Sequence, residues 1–99
     1  MSTSAQRPEK SIDAVLRELI ASLGIEEKLQ EYDAVNRWNE IMGEQIAKSS
    51  NAVSIKQGIL HVHVQSGPWR NELTIRKKEI IDKINASIGS DIVKDIKFQ

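Results

Sequence analysis

Cysteine is absent from the 99 residues, which excludes disulfides, thiolate zinc sites, iron–sulfur clusters and cysteine nucleophiles together. A reduced, cytoplasmic setting is compatible with that absence. Aromatic side chains are scarce, with two Trp, one Tyr and one Phe, so the core must be built mainly from aliphatic residues. No apolar run approaches the roughly 20 residues that a membrane-spanning helix needs, and Met1 to Lys10 lack the apolar stretch of a secretory signal. No glycine-rich phosphate loop of the Walker type occurs, so intrinsic ATP hydrolysis is not expected. The length suits a single domain with little room for a deep substrate cavity. No nucleophile, base and oxyanion site can be nominated together, and a non-enzymatic protein without a cofactor is the expectation.

Net charge is also absent, 14 Lys and Arg balancing 14 Asp and Glu. The balance conceals an asymmetry: residues 1–47 hold five basic and nine acidic side chains, residues 48–99 nine basic and five acidic. Phosphate binding depends on local charge, so the second half is where a polyanion-binding face is sought. Solvated surface would produce the same count.

Residues 1–10 are polar, include Pro8, and show no apolar periodicity; they read as a flexible N-terminal tail before a single domain over residues 11–99. Ile12, Val15, Leu16, Leu19, Ile20 and Leu23 recur at helical spacing after a capping Ser11, and Gly24 stands where a left-handed residue ends such a helix. A second helix is expected from about Glu26 to Lys48, core-facing through Leu29, Tyr32, Val35, Trp38, Ile41, Met42 and Ile46. Gly43 lies inside it, and close packing against another backbone would explain it. Period two follows: Val53 and Ile55, then Gln57-Gly58, then Leu60, Val62 and Val64 alternating with His61 and His63, which is a tight hairpin with one covered face. Ser66-Gly67-Pro68 starts a helix. A single straight helix from Trp69 to Ile88 would bury Lys77 and expose Ile75, so a break is expected between Ile75 and Lys77. Ile92, Val93, Ile96 and Phe98 are expected to form a last strand.

The resulting order, α-α-β-β-α-α-β with a three-stranded sheet, is an α+β arrangement resembling the type II K homology domain. In that fold a Gly-x-x-Gly loop between the central helices clamps a nucleic-acid backbone; here Thr74-Ile75-Arg76-Lys77-Lys78 stands in its place. Trp38-Asn39-Glu40-Ile41-Met42-Gly43, the stretch Gly58 to Leu73 with its Ser66-Gly67-Pro68-Trp69-Arg70, and Ile84-Asn85, Gly89 and Val93 to Phe98 together resemble the DciA family. The resemblance covers residues 12–98. It implies a bacterial accessory protein of replication initiation that binds single- and double-stranded DNA and helps the replicative helicase DnaB load, on a K-homology-like fold. Many members carry a basic extension after this domain. Here the 99 residues end with the last strand, which leaves the folded surface or the N-terminal tail for helicase contact.

Arg70, Arg76, Lys77, Lys78 and Lys83 cluster around the two central helices and are the candidates for phosphate contact; Lys48 and Lys56 would extend that surface. Trp38 and Trp69 could stack on bases, but both sit in apolar register and are expected to pack the helices on the sheet. His61 and His63 alternate on one strand face without a third ligand at suitable spacing, so no metal site is expected. The acidic residues Glu18, Glu31, Glu40 and Glu44 read as a solvated face that could meet a protein. The alternatives to DNA binding are an RNA-binding factor of the K homology type and a protein-interaction adaptor that does not bind nucleic acid.

Overall fold

The computed structural model describes residues 11–99; the expected N-terminal tail, 1–10, lies outside the described residues. Helix α1 spans Ile12–Leu23. The Ser11 hydroxyl accepts the Ala14 N–H at 3.1 Å, and Gly24 closes the helix at φ 71°. The boundaries are those the spacing dictates, yet α1 buries no residue.

The expected helix from Glu26 to Lys48 is instead three: α2 (Glu26–Asn36), α3 (Trp38–Met42) and α4 (Glu44–Ala47). Gly43 makes the second break, with φ 92° and ψ 167°, a conformation essentially confined to glycine. A Cβ at Gly43 would meet nothing within 4 Å. Its backbone angles, not close packing, therefore call for glycine. Dividing the helix also divides its apolar face. Ala34, Trp38, Ile41 and Met42 are buried, while Leu29 and Tyr32, assigned to the core by periodicity, stay exposed at 43% and 67%.

Strands β1 (Ser50–Lys56) and β2 (Ile59–Val64) pair antiparallel through a turn in which Gln57 and Gly58 both have positive φ, 52° and 81°. This is the twist that suits a two-residue hairpin. The register shifts between Ala52 and Ser54, so Val53 is displaced from the inward row and is exposed rather than covered. Helix α5 (Gly67–Ile75) is capped by Ser66, which accepts the Trp69 N–H at 3.3 Å. The expected break follows at Arg76, before α6 (Lys77–Ile88). It leaves Ile75 73% exposed all the same.

The last strand, β3, is shorter than expected, Asp95–Phe98, and runs parallel to β2 in the sheet order β1-β2-β3. Ile92 and Val93 are buried in the connection preceding it. Their backbone is served by a side chain instead of a strand: Asn85 Nδ2 donates to the Val93 carbonyl at 2.9 Å and Asn85 Oδ1 accepts the Val93 N–H at 3.0 Å. Leu60, Val62, Val64 and Ile96 line the covered face of the sheet, where Trp38, Leu73, Ile80 and Ile84 complete the core. Among the described residues, six helices and a mixed three-stranded sheet make the α+β arrangement read from the sequence.

Candidate nucleic-acid interface

The seven candidate cations are placed by the elements around the α5–α6 joint and by the two ends of β1. Arg70 on α5 turns back to the sheet, where its Nη2 donates to the Val64 carbonyl at 3.2 Å. Its Nε is buried without a hydrogen-bond partner. Arg70 therefore ties α5 to the end of β2 before it can meet a ligand.

Arg76 occupies the joint itself, with φ −93° and ψ 12°, and its Nε donates to Glu72 Oε2 at 2.8 Å one turn back. Lys77 pairs with Asp95 at 3.2 Å, Lys78 with Asp82 at 3.5 Å, and Lys48 with Glu44 at 3.8 Å. Lys83 and Lys56 have no ion pair among the described residues. The i,i+4 pairs of Lys48, Arg76 and Lys78 are of the exposed kind that contributes only about 0.3–0.5 kcal/mol, so an arriving phosphate can exchange for the carboxylate there, whereas Lys77–Asp95 joins α6 to β3. The Asp95 carboxyl lies below its ordinary range because it accepts the Ile96 backbone N–H and then because Lys77 stands beside it.

The end of α3 and helices α4, α5 and α6 line a groove of about 460 Å³. Met42, Ile46, Trp69 and Ile80 give it an apolar lining; Glu44, Glu72, Arg76, Glu79 and Lys83 are its charged groups. Arg76, Glu79, Ile80 and Lys83 follow at i, i+3, i+4 and i+7, one face of α6. The groove thus joins Arg76 and Lys83 to a half-buried tryptophan, and Lys48 stands beside it through Glu44. Three carboxylates against two cations mean that it does not act as a simple anion trap. Lys56 is elsewhere, next to the hairpin turn, where Gly58 packs close to Lys94.

Trp38 is 1% exposed, and its Nε1 donates to Ser50 Oγ at 3.1 Å. It is a core residue with no face to offer a base. Trp69 packs against the core but also reaches the groove. Among the described residues no group of three His, Cys, Asp or Glu side chains is placed to hold a metal, His61 and His63 included. No helix of the described residues is long and apolar enough to cross a membrane.

Lys97 was not singled out by the sequence reading. It is exposed on β3 opposite His61, on the uncovered side of the sheet. The alternation of Ile96 and Phe98 with Lys97 already carried that signal.

A protein-family model described as Dna[CI] antecedent, DciA, matches residues 11–98. Among curated relatives, a UPF0232 protein of Mycobacterium tuberculosis is 28% identical over 92 residues, covering 93% of this chain and 49% of the relative. UPF0232 proteins of Rhodococcus jostii and Mycolicibacterium smegmatis are also 28% identical over 92 residues, covering 93% of this chain and 49% and 47% of their own lengths. The chain spans about half the length of the curated relatives it matches. The matched segment contains every described helix and strand, and on that ground the chain belongs to the DciA family.

Proposed function

We propose that this protein is a non-enzymatic accessory factor of replication initiation that binds DNA and assists loading of the replicative helicase DnaB. The observation that carries this reading is membership of the DciA family across residues 11–98. The groove is compatible with it. Arg76 and Lys83 would take backbone phosphates, with Lys48 and Lys78 released to them from weak surface pairs and Lys77 adding charge beside the joint. Binding held by phosphates carries little sequence preference and weakens steeply with salt.

A second reading, a protein-directed adaptor without nucleic-acid binding, draws on one specific observation: five of the seven candidate cations already have intramolecular partners. Titration of labelled single-stranded DNA, duplex DNA and single-stranded RNA at two salt concentrations separates the readings. Salt-sensitive DNA binding that the combined Arg76→Ala, Lys77→Ala, Lys78→Ala variant loses is the expected result. Preference for RNA would select an RNA-binding factor. Absence of binding to all three, with capture by the helicase intact, would select the adaptor.

A further inference from the structure

The sheet packs one face on the helices and leaves the other open, and strand pairing identifies the open one. Lys56, Ile59 and Asp95 stand in one row across it, Ser54, His61 and Lys97 in the next, and Asn51 opposite His63 in a third. None of these residues is buried, and Lys56, His63 and Lys97 are exposed. Leu60, Val62, Val64 and Ile96, which enter the core from the same strands, point the other way.

Charge separates this face from the groove. In the groove Glu44, Glu72 and Glu79 outnumber Arg76 and Lys83. In the rows of the open face the carboxylate is Asp95, and Lys77 neutralises it at 3.2 Å. Lys56 and Lys97 have no ion pair among the described residues. They lie on the two outer strands, their Cα atoms about 12 Å apart with the central strand between them. Lys94 is not counted with them, because it shares a cleft with Glu26, Glu27, Glu31 and Asp91. Two uncompensated cations on an open surface complement a polyanion.

The side chains between the lysines select which polyanion. A protein or a membrane is held through apolar and aromatic anchors, and the rows of this face have no apolar side chain but the half-buried Ile59. His61 and His63 instead place two imidazole rings at alternate positions of the central strand, about 7 Å apart. Rings of this kind stack on unpaired bases, and the Ser54 hydroxyl and Asn51 amide beside them can bond base edges. A duplex keeps its bases stacked inside and would offer this surface phosphates alone. Lys77 belongs to the α5–α6 joint and Asp95 to the edge of this face, so the two basic surfaces adjoin.

We infer that the open face of the sheet is a platform for single-stranded DNA, with His61 and His63 stacking on bases while Lys56 and Lys97 hold phosphates on either side. The inference rests on the DNA-binding reading above and deepens it: the joint takes phosphates of either form, and the sheet adds the preference for the unpaired strand.

Titration of the whole chain with labelled oligothymidylate, a duplex of equal length and oligouridylate tests it. The His61→Ala, His63→Ala variant should lose about fivefold or more in affinity for oligothymidylate and keep its affinity for the duplex. The Lys56→Ala, Lys97→Ala variant should lower the single-strand salt slope by about 1.4, the worth of two phosphates. Thermal unfolding checks that both variants fold, and the histidine ring resonances of the unaltered chain should shift on adding oligothymidylate. Unchanged single-strand affinity in both variants, with DNA binding by the unaltered chain intact, would overturn this inference alone. Equal losses for single strand and duplex in the histidine variant would overturn the stacking role. Tighter binding of oligouridylate, weakened by the same substitutions, would reassign the platform to RNA. An unaltered chain that binds neither form of DNA would overturn the DNA-binding reading and this inference with it.

Discussion

Lys77 Nζ lies 3.2 Å from Asp95 Oδ1, joining the first residue of α6 to the first residue of β3. One ion pair thereby links the joint of the central helices to the strand that completes the sheet. Asp95 also accepts the Ile96 N–H at 2.8 Å, so its carboxylate serves both the strand and the lysine.

The consequence is a pH dependence with a definite sign. The Asp95 carboxyl titrates below its ordinary value of 3.8 in the folded chain. Its stabilising contribution is therefore complete above that value and is lost as pH falls through the lower, folded one. Denaturant midpoints of the native chain and Asp95→Asn should differ at pH 7 and converge toward pH 2.5. Curves that stay parallel to the acid limit would show that Asp95 contributes nothing of this kind.

Trp38 and Ser50 form the buried polar link of the core, with the Ser50 hydroxyl passing the chain on to the Ile46 carbonyl at 2.8 Å. Trp38→Phe removes the donor and leaves Ser50 with an unmet acceptor, at a cost of about 1–3 kcal/mol. Trp38→Ala adds a cavity and should cost about 3–5 kcal/mol. Urea unfolding measures both. A DNA affinity unchanged in Trp38→Phe would agree with its purely structural position.

Asn85 replaces a strand partner for Val93, donating and accepting in the same contact. Asn85→Asp keeps the acceptor and loses the donor, while Asn85→Ala loses both beside a Val93 that is 1% exposed. The second variant should be the less stable, by about 2–3 kcal/mol relative to the native chain. Amide exchange at Val93 should accelerate in parallel.

Gly43→Ala introduces no clash, since its Cβ would stand in open space. The cost is the backbone conformation alone, about 1–3 kcal/mol. A stability unchanged in thermal unfolding would mean that the α3–α4 junction relaxes to different angles.

Glu72 holds Arg76 at 2.8 Å on the edge of the groove. Releasing the arginine by Glu72→Gln should raise DNA affinity about twofold to fivefold at low salt, the worth of an exposed pair. Lys83→Ala should reduce the salt slope of binding by about one. Affinity that falls in Glu72→Gln would place the phosphates away from Arg76.

Local rules sufficed wherever a single residue or a short period carries the signal. Ser11 and Gly24 bound α1, Gln57-Gly58 closes the hairpin, and the phase conflict between Ile75 and Lys77 marks the α5–α6 break. These are properties of capping, turn geometry and side-chain period that act within a few residues. Helical spacing across Glu26 to Lys48 did not reveal two breaks, because apolar periodicity is blind to the φ that Gly43 adopts.

Burial and charge pairing depended on the assembled fold. Nothing in the stripe of α1 tells whether another element covers it, and in this chain the sheet is already covered by Trp38, Leu73, Ile80 and Ile84. The basic residues of the second half were legible as a cluster, but that Lys77 meets Asp95 and Arg70 meets the Val64 carbonyl depends on how α5 and α6 lie against the sheet. Sequence by itself determined the α-before-hairpin order and the ends that Ser11, Gly24, Gln57-Gly58 and Ser66 mark, since those rest on local backbone energetics. Tertiary structure alone decided which apolar faces remain open and that Lys77 meets Asp95, since both depend on residues far apart in the chain brought within a few ångströms of one another.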